Sequence, residues 1–319
     1  MIVTLTANPA LDRTIALEAP LVPGDVQQAR SAREDAGGKG INVARAVASA
    51  GIPTLAVLPM SEDDPYGPIL RATGLPTRTV AVHGHVRANI ALTDAAGTTT
   101  KINLPGVELD RGERRALITA VVETSRGAAW TVLAGSLPPG PGDDFYVDVA
   151  RAIRDELGDA APRIAVDTSG PALRAVVDAG IADLVKPNDD ELAELAGVTL
   201  EDVGGRLADI VRIARSFVPS RVAAAVITLG GDGAVLVTAD DAFHAAPPPV
   251  RVTSTVGAGD SSLAGYLLAD LAGATPAERL RHAVRYGSAA AALPGTQIPT
   301  PHDLPAGEVV LTPLALPGV

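Results

Sequence analysis

The sequence predicts an α/β protein with a largely parallel sheet and a small β-sheet lid over one edge. Three observations predict it. Short apolar, β-branched runs bounded by turn residues alternate with longer amphipathic stretches, the rhythm of βα units. Two regions, Arg13 to Arg33 and His85 to Leu104, break that rhythm. No long polar linker, repeat or low-complexity tract interrupts the 319 residues, which favours one domain, 1–319, with a lid from about 11–33 and 85–105 inserted in it.

The elements follow in order. Ile2 to Thr6 is a short apolar run that reads as the first strand. A helix over Gly40 to Ala50 and a strand over Thr54 to Leu58 make the next unit. Asn89 to Thr93 and Thr99 to Asn103 alternate apolar and polar residues on either side of Asp94-Ala95-Ala96-Gly97, the signature of a β-hairpin. Helix Arg111–Ser125 then leads to strand Trp130–Ala134, helix Asp143–Leu157 to strand Ile164–Asp167, and helix Pro171–Asp178 to strand Leu184–Lys186. Helices over Asp189 to Leu195 and Gly205 to Phe217 precede strands Ala224–Leu229 and Ala234–Thr238. The last two helices are Ala258–Leu271 and Pro276–Leu293, the first of them apolar at Leu263, Ala264, Leu267, Leu268 and Leu271, a face at helical spacing.

Composition narrows the function. The formal charge is 26 − 37 = −11 and aromatic residues are 3%, so neither a phosphate-backbone footprint nor a base-stacking platform is expected, and nucleic acid is excluded as a partner. An acidic chain that binds an anion must do so with helix N-termini and a few placed cations. The absence of cysteine removes disulfides, thiolate metal sites and Cys nucleophiles, and suits a reducing cytoplasm, the expected location. The five histidines form no HExxH pattern, no stretch reads as a membrane span, and Met1 to Thr6 has no basic region of a signal peptide.

Thr255-Val256-Gly257-Ala258-Gly259-Asp260 lies between a Pro-rich loop and a helix start. Glycines there let backbone N–H groups turn inward, and the helix terminus adds partial positive charge, so the segment suits a transferring phosphoryl group; alternatively Asp260 is only an N-cap. Walker A and the dinucleotide fingerprint are both missing, because Gly37-Gly38-Lys39-Gly40 has no hydroxyl residue after Lys39 and Gly257-Ala258-Gly259 lacks its third glycine. Gly135-Ser136-Leu137-Pro138 does not complete an esterase elbow.

What completes a pattern is the set Asn8-Pro9-Ala10-Leu11-Asp12, Gly37 to Ala44, Gly135 to Gly140, Lys186 to Glu191 and Gly257 to Asp260. With these motifs in this order, the chain resembles the ribokinase-like (PfkB) sugar kinases over nearly its whole length, within the branch of 1-phosphofructokinase, tagatose-6-phosphate kinase and the minor 6-phosphofructokinase. The resemblance implies a three-layer sandwich with a β-sheet lid. It also implies ATP-dependent phosphorylation of a phosphorylated ketohexose, most directly fructose 1-phosphate, with tagatose 6-phosphate or fructose 6-phosphate as alternatives. A non-catalytic sugar-phosphate sensor is the competing class, and a dehydrogenase a weaker third.

By the same resemblance, Asp260 is the base and the amides of Gly257, Ala258 and Gly259 form the anion hole. Asp12, Gly38 and Asn42 match sugar-binding positions; a simple turn is the alternative for Asp12. Lys39 and Arg87 supply cations for the substrate's own phosphate, against solvated surface charges as the alternative, and Ser136 adds a hydroxyl unless its loop is a plain turn. Lys186, Asn188 and Glu191 resemble the element that places nucleotide phosphates and the Mg²⁺ hydration shell, with Glu191 acting through water; Asn188 and Glu191 also read as a capping box. Thr228, Gly230 and Gly233 belong to the implied nucleotide loop, which alone reads as a hairpin turn. Some family members hold a monovalent cation near the residues matching Ser254 and Val256. A homodimer through the lid is expected, because one lid face must find cover.

Three departures stand out. Where relatives have a glycine-rich turn after the strand near Leu58, this chain reads Pro59-Met60-Ser61-Glu62-Asp63-Asp64-Pro65-Tyr66-Gly67. Val86 stands where a threonine often precedes the phosphate-binding arginine, and the segment from Arg71 to Val82 is short.

Overall fold

The computed structural model describes residues 1–198 and 207–316. Seven strands run parallel in the main sheet: β1 (Ile2–Thr6), β4 (Thr54–Pro59), β5 (Thr77–Val80), β8 (Trp130–Ala134), β9 (Arg163–Asp167), β10 (Leu184–Val185) and β11 (Ala224–Thr228). Three antiparallel strands extend one edge: β12 (Ala234–Val237), β13 (Ala242–Ala246) and β14 (Val310–Pro313). The order across this ten-stranded sheet is β14-β13-β12-β11-β10-β9-β8-β1-β4-β5.

Alternation along each strand feeds two apolar layers. Val3, Leu5, Leu133, Ile164 and Val166 face one side, where α3 (Arg111–Ser125), α4 (Phe145–Leu157), α5 (Gly170–Ala179), α6 (Asp189–Ala196) and α7 (Leu207–Arg215) pack. Ile2, Trp130, Val132 and Leu236 face the other, against α1 (Lys39–Ser49), α8 (Ala258–Leu271) and α9 (Pro276–Ala292). This is the three-layer arrangement expected. The helix expected over Gly205 to Phe217 begins, within the described residues, at Leu207; Gly205 itself lies outside them. The antiparallel edge strands β13 and β14, the strand β5 and a short helix α2 (Tyr66–Ala72) have no counterpart in the sequence reading.

Local chemistry starts the helices. Asp110 with Glu113 and Thr275 with Glu278 form capping boxes, each side chain satisfying a backbone N–H that the first helical turn leaves free. The far end of α8 is anchored at Asp270, which is buried and accepts from Trp130 Nε1 (2.8 Å), from Arg163 Nη1 (3.1 Å) and, by an ion pair, from Arg279 Nη1 (2.9 Å). The Arg163 guanidinium also lies 4.3 Å from the Trp130 ring centre.

A second, four-stranded sheet has the order β3-β2-β6-β7, with β2 (Ala10–Leu17), β3 (Ala29–Gly37), β6 (Arg87–Thr93) and β7 (Thr99–Asn103). The 89–93/99–103 hairpin is present and its first arm begins at Arg87. The register sets Arg87 and Gly37 on either side of Ala10, and Asn89 beside Asp12, so the chemistry-bearing residues gather at the end of this sheet that joins the main body. No described helix is long and apolar enough to cross a membrane.

Candidate active site

Asp260 sits in the first turn of α8 and is 7% exposed. Gly257 before it adopts a left-handed φ of 75°, which brings the chain into the helix with Gly257, Ala258 and Gly259 leading. Asn42, one turn into α1, donates through Nδ2 to Asp260 Oδ2 at 2.8 Å. Burial, then the charge of Asp167, pushes the Asp260 carboxyl up to about 6 against the opposing pull of Lys39, Asn42 and Lys186.

Asp167, the last residue of β9, organises the cations. It is completely buried, and Lys39 Nζ stands 2.8 Å from its Oδ1 while Lys186 Nζ stands 3.0 Å from its Oδ2. Burial alone would raise the Asp167 carboxyl, but the two ammonium groups outweigh it and hold it below the usual carboxylate range. Burial works against the Lys39 charge, yet Asp167, Glu191 and Asp260 together hold that ammonium above its ordinary value. Lys39 is also 3.9 Å from Glu191 Oε1. The turn delivering Lys39 depends on Gly38: its φ is 123°, and a Cβ there would meet Thr6 Cγ2 at 2.6 Å.

Asn188 and Glu191 form the capping box of α6, with Glu191 N donating to Asn188 Oδ1 (2.7 Å) and Asn188 N donating to Glu191 Oε2 (2.9 Å). Asn188 bridges to Thr228 at the end of β11, and a 3-10 turn over Gly230–Asp232 follows. Gly233 ends that turn so close to Ala245 O that no side chain fits.

The other end of the site is built on β2 and β6. Arg87 Nη2 donates to Ser136 Oγ (3.3 Å), and Asn8 Nδ2 reaches Ser136 Oγ (3.4 Å) and Leu137 O (3.3 Å). Asn89 Nδ2 donates to Asp12 Oδ1 at 3.0 Å. Burial raises the Asp12 carboxyl, partly offset by Asn89, Arg87 and Lys101. A Cβ on Gly37 would meet Asp12 Oδ2, so that glycine leaves room for the carboxylate. A cleft of about 480 Å³ opens here, lined by Asn8, Arg87, Gly106, Ser136, Leu137 and Gly140 among others. Buried polar atoms around the site without a hydrogen-bond partner include Asn42 Oδ1, Ser261 Oγ, Asn89 Oδ1 and Arg87 Nε. Unmade hydrogen bonds of this kind cost stability, and at a cleft they leave donors and acceptors open to a polar ligand or to water.

The structure therefore brings Asp260, Asn42, Lys39, Lys186 and Glu191 into one charged group, and Asp12, Arg87 and Ser136 into another. Lys39 and Arg87, taken from sequence as two cations for one phosphate, have different partners: Lys39 pairs with Asp167 and Glu191, Arg87 with Ser136. Asp167, Asn89 and Asn8 were missed as site residues. An acid ending a buried parallel strand was the available signal for Asp167, since ligands in such sheets bind beyond the carboxyl ends of the strands. For Asn89 the signal was its position two residues after Arg87, on the same face of a strand.

A βα sheet with a second sheet beside it, an acid at a glycine-led helix start and two lysines around a buried aspartate together define a phosphotransferase of the ribokinase-like class. A model of the pfkB family carbohydrate kinases matches residues 6–303, and the chain belongs to that family. It is a carbohydrate kinase that carries out ATP-dependent phosphoryl transfer. It is 33% identical to a 1-phosphofructokinase of Rhodobacter capsulatus, covering 100% of this chain and 99% of that one. It is also 33% identical to the ATP-dependent 6-phosphofructokinase isozyme 2 of Escherichia coli strain K12, covering 93% and 94%. The crystal structure of phosphofructokinase-2 from Escherichia coli in complex with substrates and products superposes with a TM-score of 0.86 at 33% identity, over 95% of this chain and 96% of that one.

Proposed function

We propose that this kinase phosphorylates a ketohexose that already carries a phosphate, with fructose 1-phosphate giving fructose 1,6-bisphosphate as the first choice. The observation that carries the reading is a second anion site: Arg87, with its unpartnered Nε, and Ser136 line a cleft on different elements from the charged group around Asp260. A sugar phosphate lying across Asp12 and Asn89 would place its own phosphate on Arg87 and its free hydroxyl toward Asp260. Fructose 6-phosphate is the competing substrate, because relatives of both names match at 33% identity; Lys39 in the GGKG turn, a residue type resembling the 1-phosphofructokinase branch, favours the first.

In the proposed step the sugar hydroxyl oxygen bonds to the γ-phosphorus of ATP as the β–γ bridging bond breaks. ADP leaves, and the hydroxyl proton passes to Asp260 Oδ. A carboxyl poised at about 6 is ionised at neutral pH and strong enough as a base to take a proton late in a loose transition state. In this reading the amides of Gly257 and Gly259 meet the transferring group, the Ala258 N–H joining them only by giving up its 3.4 Å bond to Thr255 O, and Lys39 and Lys186, fixed by Asp167, supply positive charge beside it.

The oxygen donors Asn188 and Glu191 suit Mg²⁺, which when bound neutralises phosphate charge. Glu191 already accepts a backbone hydrogen bond and faces Lys39, so it fits contact through water. Among the described residues, the one group of three metal-binding side chains close enough to share an ion is His83, Asp110 and Glu113 at the start of α3, away from these residues in sequence and occupied by helix capping. A monovalent cation beside Ser254 and Val256 and a homodimer through the four-stranded sheet, whose outer strand β7 is exposed throughout, belong to the same reading. ADP release measured over fructose 1-phosphate, fructose 6-phosphate, tagatose 6-phosphate and ribose tests it: the highest kcat/KM is expected for fructose 1-phosphate, and preference for ribose would overturn the phosphorylated-substrate reading.

A further inference from the structure

The segment Pro59 to Gly67 has no part in the chemistry above, yet two of its side chains reach the backbone on both flanks of the Arg87 end. Tyr66 opens α2, is fully buried, and donates its hydroxyl to Gly37 O at 3.0 Å, inside the turn that delivers Lys39. Asp64, 4% exposed, divides its carboxylate: Oδ1 accepts from Tyr66 N (2.9 Å) and Oδ2 from Val86 N (2.7 Å), the residue immediately before Arg87. Gly37 and Arg87 flank Ala10 in the register of the four-stranded sheet. The two residues therefore form a continuous strap from the last residue of β3 to the residue before β6.

We propose that Asp64 and Tyr66 are positioning residues that set the spacing between the Gly37–Lys39 turn and Arg87, and thereby the affinity for a phosphorylated sugar; the proposal rests on the substrate reading above. A helix cap alone would use only Oδ1 of Asp64. The second oxygen is committed to β6, and a buried carboxylate fixes a backbone N–H more firmly than a neutral acceptor does. The strap is embedded in a separate apolar cluster, Leu11, Ala36, Ile41, Leu58, Leu70 and Leu75, that seats the sheet on the body. Burial and the nearby Asp12 and Asp64 charges hold the Tyr66 phenol above its ordinary value, so it remains a donor at every working pH.

The test is steady-state kinetics of the full-length enzyme carrying Tyr66→Phe, which removes one oxygen and no packing, and Asp64→Asn, each also combined with Arg87→Met. Tyr66→Phe is expected to raise KM for the sugar phosphate about three- to tenfold, with kcat and KM for ATP within about twofold. Asp64→Asn should raise the same KM, and its effect should shrink in the Arg87→Met background, because it acts through Arg87. An unchanged KM in Tyr66→Phe, or an equal loss in all parameters, overturns the proposal; should Asp64→Asn not fold, Tyr66→Phe alone still decides. Wild-type enzyme that turns over no sugar phosphate would overturn the substrate reading and this role with it, whereas active wild type with an unmoved KM overturns only the strap.

Discussion

The Asp260 end and the Arg87 end of the site each contain a carboxylate raised by burial, but they are finished to different degrees. Around Asp260 the charges are already matched: Asp167 holds two lysines, and Asn42 donates to Asp260 itself. Asn42 Oδ1 is a neutral atom left open there, whereas around Asp12 the open groups include the cation: among the described residues Arg87 makes no ion pair, and its Nε and Asn89 Oδ1 are unpartnered on the half-buried strand β6. The transfer end is organised in advance, where charge must be stabilised without reorganisation. The other end leaves its strongest contacts to be made by the substrate. Substitutions at the first should therefore act on kcat and stability, and substitutions at the second on KM.

The largest effect that would break or support this division is expected from Asp260→Asn, about 10²- to 10⁴-fold in kcat with KM for the sugar phosphate changed less than about threefold. A kcat within tenfold of wild type would remove Asp260 as the base. Asp167→Asn comes next: it leaves two inward lysines short of a carboxylate and should cost about 2–3 kcal/mol in urea unfolding, below the roughly 3–5 kcal/mol of a fully buried broken pair because Lys39 is 35% exposed.

Arg87→Met should raise KM for phosphorylated sugars about 10- to 100-fold and leave kcat near wild type; a collapse of kcat instead would merge the two ends into one. The pH profile sharpens the contrast further. Because Asp260 is pushed up to about 6, kcat/KM is expected to fall about tenfold per unit below that pH, with the limb lost in the Asp260→Asn variant. A carboxyl raised from 3.8 in the unfolded chain costs stability once ionised, and that cost is relieved as pH falls through 6. Asp260→Asn should accordingly melt higher than wild type at pH 7, the gap closing below about pH 4. The smallest effect is expected from Asn89→Ala, about two- to tenfold in KM, read in the same assay.

Periodicity made the parallel strands and their helices legible, because strands buried on both faces carry uncharged runs of apolar and β-branched residues such as Ile2–Thr6 and Trp130–Ala134. The antiparallel edge was not legible. β13 contains His244 and closes a hairpin with β12 whose second arm lacks a clear apolar alternation, and β14, which contains Pro313, pairs with β13 from far along the chain. The glycine-led motifs announced themselves through spacing. Asp167 did not, because its importance comes from two lysines, one 128 residues earlier and the other 19 residues later, that meet only in the folded sheet. Lys39 was singled out for its charge, but its direction was decided by a buried carboxylate that no local pattern reveals.

The cluster at Asp270 bears on how such a site can vary. Helix α8 carries Asp260 in its first turn and is moored at its opposite terminus to β8, β9 and α9 through Trp130, Arg163 and Arg279. A strut clamped at its tail to the floor of the molecule has little freedom to swing its head. The reacting carboxylate is thus fixed to the body while the small sheet carries Asp12 and Arg87, so exchanging that sheet between relatives should alter which sugar is accepted while leaving the reacting floor intact.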